Sequence, residues 1–198
     1  MMMHQFSLPV MVVAAYLLGS VPTGLLLGKL YGIDVRNTGS GNIGATNLYR
    51  TVGRKVGILT LIGDCLKGMI PVLLVSYAGF SFEYAAWVGL AAFLGHVYTV
   101  FLKFKGGKGV ATALGVFLAI SPLAVSIALT VFVLLVLKWR YVSLGSVAAA
   151  AVMPAAVYVL DGRGELVVVT LLIAAVVIVK HHQNISRLLA GTENRFKA

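Results

Sequence analysis

Six long apolar runs, separated by short polar connections, dominate this sequence. They cover residues 8–30, 56–78, 84–102, 109–137, 142–160 and 166–179. A helix needs about 20 apolar residues to cross the hydrocarbon core of a membrane. Hydrophobic residues make up 60% of the chain and charged residues only 11%, whereas about a quarter of a soluble domain is charged. The sequence therefore predicts an all-α integral membrane protein, a single polytopic domain over residues 1–198, and excludes a soluble or disordered chain.

The run from 109 to 137 is too long for one span. As a single helix it would reach about 44 Å, and Ser121-Pro122 interrupts it near its middle. Because the residue before a proline avoids the helical region, we divide the run there. The division predicts seven transmembrane segments, at 8–30, 56–78, 84–102, 109–120, 122–137, 142–160 and 166–179.

The charges of the connections predict how these segments are oriented. Lysine and arginine gather after the first, third, fifth and seventh segments, and the other connections carry no excess of them. By the positive-inside rule, the N-terminus lies outside and the C-terminus in the cytoplasm. We attribute the net charge of +10 to cytoplasmic loops facing anionic lipid head groups, and expect no nucleic-acid partner.

A glycine-rich stretch, GSGNIGATN, occupies residues 39–47. Glycines this close together let backbone N–H groups converge into concave arrays that bind anions, phosphate above all. Hydroxyl and amide side chains within the stretch, and the guanidinium of Arg50, add donors that suit phosphate. The pattern alone leaves a phosphate cradle and an ordinary interhelical loop equally open.

A second stretch, KFKGGKGVAT at 103–112, combines lysines and glycines ahead of an apolar run. The lysines alone are typical of a plain positive-inside loop, but the glycines also suit an anion cradle at a helix start, so the pattern leaves both interpretations about equally open. It is not a Walker A loop, which requires a glycine where Leu102 stands and a serine or threonine where Gly109 stands.

A third stretch, KHHQNISR at 180–187, follows the last segment. On a helix, His181, Asn184 and Arg187 would recur every three residues on one face and suit a phosphate-bearing substrate. The alternative is a flank that snorkels to the interface. Ser143 and Ser146 follow another basic connection. We expect no metal, because the histidines and the single cysteine lack metal-ligand spacing.

Three further polar residues lie within the predicted segments. Asp64 and Lys67 are three residues apart in the second segment, where a charge is costly and marks a functional candidate. Mutual pairing favours a structural role for them. His96 lies in the third segment, within a turn or two of the lysine-glycine loop, and both a structural and a functional role remain open for it.

Together the three stretches describe a site beside lipid for a reactant with both a phosphate and an apolar part. An enzyme and an organic-phosphate transporter both fit this description. An enzyme is favoured because the charges lie at one face and no inverted repeat is visible. A structural subunit leaves the glycine-lysine loops unexplained. The chain lacks the carboxylate cluster of CDP-alcohol phosphotransferases, the histidine-aspartate motif of the familiar glycerolipid acyltransferases, and a Gly-x-Ser-x-Gly elbow.

The three stretches resemble those of the acyl-phosphate-dependent glycerol-3-phosphate acyltransferases, the PlsY family. The shared motifs are GSGNxGATNxxR at 39–50, FLKFKGGKGVAT at 101–112 and HxxNxxRLxxGTE at 181–193. One departure is Ile43, where proline is common, and we expect it to tune loop rigidity. The resemblance implies acyl transfer from acyl phosphate to the sn-1 hydroxyl of glycerol 3-phosphate. The products would be lysophosphatidic acid and inorganic phosphate, formed at the cytoplasmic face of a bacterial inner membrane.

The resemblance also implies the residues of the site, with no cofactor and no obligate protein partner. The implied catalytic residues are Lys108, Ser146, His181 and Asn184. The implied substrate-binding residues are Ser40, Gly41, Asn42, Gly44, Thr46, Asn47, Arg50, Lys103, Lys105, Gly106, Gly107, Ser143, Arg187 and Glu193. The proton of the attacking hydroxyl would pass to His181 or to a substrate phosphate oxygen, and we slightly favour the substrate.

Overall fold

The chain folds into helices joined by loops, which confirms the all-α class. The computed structural model describes residues 2–196, with side chains from Leu8 onward. Within that range the helices are α1 (Met2–Ser20), α2 (Thr23–Leu30), α3 (Ala45–Thr51), α4 (Arg54–Tyr77), α5 (Phe82–Val97), α6 (Val110–Ile120), α7 (Pro122–Trp139), α8 (Val142–Asp161), α9 (Gly164–Lys180) and α10 (His182–Leu189). A 3₁₀ turn, Val100–Leu102, lies between α5 and α6.

Two prolines interrupt the apolar runs. The break predicted at Ser121-Pro122 is confirmed, since α6 ends at Ile120 and α7 begins at Pro122. A second break, absent from the sequence-based prediction, lies between Ser20 and Thr23, around Pro22. In both places proline supplies no backbone N–H and its predecessor avoids the helical region.

The helix lengths support five or six membrane spans among the described residues. Five stretches are long and apolar enough to cross, namely Leu8–Leu30, Arg54–Tyr77, Phe82–Leu102, Pro122–Trp139 and Val142–Asp161. The pair α9 and α10, bent by 57°, makes a sixth if it counts as one span. The eleven residues of α6 reach only about 16 Å. Seven spans and their orientation therefore stay a prediction.

The chain divides into two compact units, one ending at Ile120 and the other beginning at Ser121. In the first unit α1 packs on α5, and α4 packs on both α5 and α6. Close approach depends on glycine: Gly19 lies against the Ala92 backbone, and Gly115 lies against the Cys65 carbonyl, each without room for a Cβ. Small residues at such contacts let membrane helices pack backbone to backbone.

In the second unit α8 packs between α7 and α9. Gly145 of α8 lies against Phe132 of α7. At the start of α7, the Ser121 hydroxyl donates a 2.6 Å hydrogen bond to the Asp161 carboxylate at the end of α8. A carboxylate beside a helix N-terminus is stabilised by the helix dipole, so this bond holds together the opening of α7 and the end of α8.

Candidate active site

The first glycine-rich loop is organised by the side chain of Asn47, at the start of α3. The Asn47 amide nitrogen donates to the carbonyl oxygens of Val35 and Thr38, both at 3.1 Å, and of Asn42 at 2.9 Å. Its Oδ1 accepts a 2.9 Å bond from the Ser40 N–H. The side chain is buried and its bonds go to the loop itself. Asn47 therefore shapes the loop, a role that sequence reasoning missed.

The glycines let this loop turn within a short length. Gly39 and Gly41 have φ angles of +59° and +70°, a region in which a Cβ is strained. A Cβ on Gly39 would also overlap Asn47 Oδ1. The Gly44 N–H donates a 2.8 Å bond to Asn42 Oδ1 just before α3 begins. The predicted residues 39–41 and Arg50 are exposed at the surface of the first unit.

The loop is fixed to the first unit through an apolar cluster. Ile43, at the position where proline is common in the family, is buried with Leu25, Val35, Leu48 and Val56. Leu102, which precedes the lysine-glycine loop, packs against the same cluster. Both glycine-rich loops of the first unit therefore share one apolar base.

The lysine-glycine loop is bound to the end of α5. The Gly106 N–H donates to the Val97 carbonyl at 3.2 Å, and the Gly107 N–H donates to the His96 carbonyl at 3.1 Å. Gly109, with φ of +83°, rests on the Phe93 ring without room for a Cβ. Lys103 and Lys105 are exposed, whereas Lys108 is half-buried between the seated glycines. The loop thus presents two exposed lysines to the surface and keeps a third half-buried.

In the second unit, Glu193 gathers three of the predicted site residues. Its Oε1 accepts hydrogen bonds from the Ser143 hydroxyl at 2.8 Å and from the Asn184 amide at 2.7 Å. Its Oε2 accepts a 2.7 Å bond from Arg187 Nε. Burial opposes ionisation of Glu193, but these hydrogen bonds outweigh it and hold its pKa below the usual range. Asn184 and Arg187 thus share one face, as their spacing predicted.

The segment that carries Glu193 is itself held on the connection between α7 and α8. The Phe196 N–H donates a 2.6 Å bond to the Arg140 carbonyl, and Arg140 Nε donates back to the Phe196 carbonyl at 3.1 Å. Arg195 Nε donates to the Tyr141 hydroxyl at 3.3 Å. These bonds explain how a residue near the end of the chain reaches Ser143.

His181 lies at the bend between α9 and α10. Its ring is buried, and Nδ1 lies 2.7 Å from the Val177 carbonyl oxygen. A carbonyl only accepts hydrogen bonds, so Nδ1 carries the proton and Nε2 is the basic nitrogen of the neutral ring. Ser146 is also buried, and its hydroxyl donates to the Val142 carbonyl at 2.9 Å, within its own helix.

An exposed ion pair precedes the first glycine-rich loop. Arg36 Nε donates to Asp34 Oδ1 at 2.9 Å, and a second guanidinium nitrogen pairs with Asp34 Oδ2. Hydrogen bonding to the Arg36 side chain and backbone lowers the pKa of Asp34 to about 2. The charge of Arg36 is therefore balanced by Asp34, and Arg50 is the cation that the glycine-rich motif itself contains.

Comparisons with known proteins identify the family. The family model described as glycerol-3-phosphate acyltransferase matches residues 9–191. The chain is 72% identical to the glycerol-3-phosphate acyltransferase of Trichlorobacter lovleyi, over 94% of this chain and 96% of that protein. It is 62% identical to the corresponding protein of Geobacter sulfurreducens, over 96% and 97% of the two chains.

Two solved structures of the integral membrane enzyme PlsY are also similar. The glycerol 3-phosphate form has a TM-score of 0.92 at 44% identity, and the lysophosphatidic acid form has a TM-score of 0.90 at 42% identity. Each alignment covers 96% of this chain and 96% of the solved chain. With its apolar helices, its two glycine-rich loops and the cluster at Glu193, the chain therefore belongs to the glycerol-3-phosphate acyltransferase family, as an integral membrane protein of the PlsY type.

Proposed function

We propose that this protein transfers a fatty acyl group from acyl phosphate to the sn-1 hydroxyl of glycerol 3-phosphate. The products are lysophosphatidic acid and inorganic phosphate, and the site faces the cytoplasm from the bacterial inner membrane. The observation that carries the proposal is the likeness, over nearly the whole chain, to a PlsY solved in glycerol 3-phosphate and lysophosphatidic acid forms. The loop geometry supports the roles that we propose for individual residues.

The first glycine-rich loop suits the acyl phosphate. Ser40 and Gly41 lie at its exposed turn, and Asn42, Gly44 and Thr46 lie half-buried beside it. Backbone N–H groups and short polar side chains of this kind cradle phosphate oxygens. Asn47 contributes by holding the loop in shape, since its amide is engaged with loop carbonyls.

Cations of the first unit suit glycerol 3-phosphate. Lys108 is the best placed of them because the glycines on either side of it are seated on α5. Arg50 lies in the last turn of α3, the helix that follows the first loop, and its guanidinium can bind phosphate through two N–H groups, which lysine cannot do. The exposed Lys103 and Lys105 raise the local concentration of anionic substrates, and Gly106 and Gly107 fix the loop that bears them.

Polar residues of the second unit suit a phosphate-bearing substrate. Ser143, Asn184 and Arg187 all bond to Glu193, which fixes their positions before substrate arrives. Preorganised donors of this kind contribute to catalysis because no reorganisation is needed in the transition state. The Ser146 hydroxyl donates to a carbonyl within α8. We therefore propose that Ser146 stabilises this helix turn and so holds Ser143 in position.

The chemical step is attack by the sn-1 oxygen of glycerol 3-phosphate on the acyl carbon of the anhydride. A carbon–oxygen ester bond forms, and the bond from the acyl carbon to the phosphate oxygen breaks with its electron pair. The hydroxyl proton ends on phosphate. We assign the proton to a substrate phosphate oxygen, and we assign to His181 the holding of glycerol 3-phosphate.

The test is product formation by the purified protein in lipid. Labelled glycerol 3-phosphate is supplied with palmitoyl phosphate, palmitoyl-CoA or palmitoyl acyl carrier protein. We expect lysophosphatidic acid from palmitoyl phosphate alone. Product from a thioester but not from palmitoyl phosphate would retain an acyltransferase and overturn the proposed donor, and no product from any donor would overturn the activity.

A further inference from the structure

Three ionisable side chains are buried together in the first unit. Asp64 and Lys67 lie on α4 and His96 lies on α5, with exposed fractions of 2%, 5% and 4%. Lys67 Nζ lies 2.8 Å from Asp64 Oδ1 and donates a 2.8 Å bond to the Val21 carbonyl at the break between α1 and α2. These contacts explain why Asp64 and Lys67 are present: Lys67 pairs with Asp64 and satisfies a backbone carbonyl at the break. They do not explain why a histidine lies beside the pair.

His96 extends the pair toward the lysine-glycine loop. On one edge of its ring, Nδ1 lies 3.6 Å from Asp64 Oδ1. On the other edge, Nε2 faces Gly107, where a Cβ would overlap Nε2 and crowd the two neighbouring ring carbons. The ring therefore lies between a buried carboxylate and the backbone of the loop.

The loop rests on α5 at two points, one on each side of Lys108. Gly107 is seated on the ring of His96, and Gly109 is seated on the ring of Phe93. His96 and Phe93 are three residues apart on α5, which places them on one helix face. The position of Lys108 follows from these two rings, because glycine leaves no side chain between each ring and the loop backbone.

We propose that His96, oriented by Asp64, is a positioning residue. Its ring fixes how far the Gly107 backbone lies from α5, and this distance determines the position of the Lys108 ammonium group. The inference rests on the proposed role of Lys108 in binding glycerol 3-phosphate. His96 touches neither substrate in this account. It acts through the contact between its ring and Gly107.

The chain offers a double-mutant cycle with a matched control. In Gly107→Ala the added methyl group meets the His96 ring, whereas in Gly106→Ala it meets the His96 and Val97 carbonyl oxygens. His96→Ala removes the ring and keeps both carbonyls. The clash in Gly107→Ala is therefore relieved by His96→Ala, and the clash in Gly106→Ala is not.

The measurement is kcat and KM for glycerol 3-phosphate, with palmitoyl phosphate as donor and the protein in lipid. We expect His96→Ala to act mainly by raising KM. We expect Gly107→Ala to lower kcat/KM by about tenfold in the wild-type background and by less than about twofold in His96→Ala, a coupling typical of residues in contact. Gly106→Ala should cost the same in both backgrounds. An equal cost of Gly107→Ala in both backgrounds would overturn the proposal.

Hydrogen–deuterium exchange of the 103–110 segment, measured in the same variants, tests the coupling without an activity assay. The Gly106 and Gly107 N–H groups bond to α5 carbonyls, so a displaced loop exchanges faster. Faster exchange in Gly107→Ala that disappears in the double variant supports the proposal, and additive exchange opposes it. His96→Gln, whose flexible chain also yields to a methyl group, replaces His96→Ala if that variant does not fold.

Lys108→Ala and the wild type, assayed in parallel, separate the two claims. A wild type that makes no lysophosphatidic acid, with coupled exchange in the cycle, rejects the proposed function and keeps the positioning of the loop by His96. An active wild type, with a raised KM in Lys108→Ala and additive effects of His96→Ala and Gly107→Ala, rejects only the inference about His96.

Discussion

Asn47 and Glu193 each join parts of the chain that are apart in sequence, and each does so with a single side chain. Asn47 bonds to four backbone positions in the first loop and in the segment just before it. Glu193 bonds to three side chains of the second unit. In both cases removal of the central side chain leaves several polar groups without a partner, which costs more than one lost hydrogen bond.

The first prediction concerns Asn47→Asp. The change keeps the size of the side chain but removes the amide donors and brings a negative charge to the carbonyls of Val35, Thr38 and Asn42. We expect kcat/KM to fall by at least about tenfold, since each unsatisfied buried acceptor costs about 1–3 kcal/mol. Asn37→Asp adds the same charge at an exposed position just before this loop and should lose much less. Equal losses would contradict the organising role of Asn47.

The second prediction concerns Glu193. Because its pKa is lowered in the folded protein, its stabilising contribution is present above the pKa of the unfolded chain and is lost as pH falls through the folded value. Glu193→Gln should therefore weaken folding at neutral pH and flatten the acid side of the stability curve below about pH 4.5. Thermal unfolding from pH 3 to pH 7, with Glu165→Gln at an exposed position of α9 as control, measures both effects. An unchanged acid limb would count against the cluster.

The third prediction separates the two candidate bases. If a substrate phosphate takes the proton, His181→Ala should raise KM for glycerol 3-phosphate and lower kcat by less than about 10², below the 10²–10⁴ expected for loss of a general base. Steady-state kinetics with palmitoyl phosphate decide the question. A fall of kcat by 10³ at unchanged KM would assign the base to His181.

At the scale of helices, glycine contacts set how closely α4 and α6 approach. Gly115 is buried against the Cys65 carbonyl, so a methyl group there forces the two helices apart. We expect Gly115→Ala to destabilise the protein by about 1–3 kcal/mol, the usual cost of overpacking. Gly164→Ala, at a start of α9 with no neighbour near the new methyl group, should stay within about 0.5 kcal/mol. Thermal unfolding in detergent compares them, and equal shifts would contradict the packing.

Part of the fold could be predicted from the sequence alone. The avoidance of the helical region before a proline located the break before α7, and the motifs identified both glycine-rich loops and the cluster after α9. The break at Pro22 was missed because the apolar run continues through it without a change of composition. The roles of Asn47 and Glu193 were also beyond sequence reasoning. Motif spacing predicts which residues belong to the site but not whether a side chain bonds to substrate or to its own loop. It also does not predict the contact of Ser143 with Glu193, which are 50 residues apart.

At the scale of the whole molecule, the side of the membrane on which each loop lies depends on whether α6 crosses it. If it does, four segments separate the lysine-glycine loop from the C-terminal segment, and both lie on the cytoplasmic side. If it does not, the two lie on opposite sides. The short length of α6 favours a helix that does not cross. The alternation of charge in the connections favours a helix that crosses, and only this alternation depends on the side of the membrane on which each loop lies.

The fifth prediction tests this topology by cysteine labelling. Cys65 is the only cysteine of the sequence, so Cys65→Ala provides a background for single cysteines at the exposed positions Lys105 and Thr192. We expect Lys105→Cys and Thr192→Cys both to react with an impermeant maleimide in inside-out vesicles and not in spheroplasts. Reaction from opposite sides would remove α6 from the count of spans.

In the proposed reaction acyl phosphate is the donor, and the half-buried Lys108 helps to bind the acceptor. The most direct measurement is the stoichiometry of lysophosphatidic acid and inorganic phosphate formed from palmitoyl phosphate and glycerol 3-phosphate. We predict equal amounts of both from the wild type, a strongly raised KM for glycerol 3-phosphate in Lys108→Ala, and little change in Lys29→Ala, where the lysine is exposed at the end of α2. Phosphate released without lysophosphatidic acid, or lysophosphatidic acid formed without phosphate, would contradict the account.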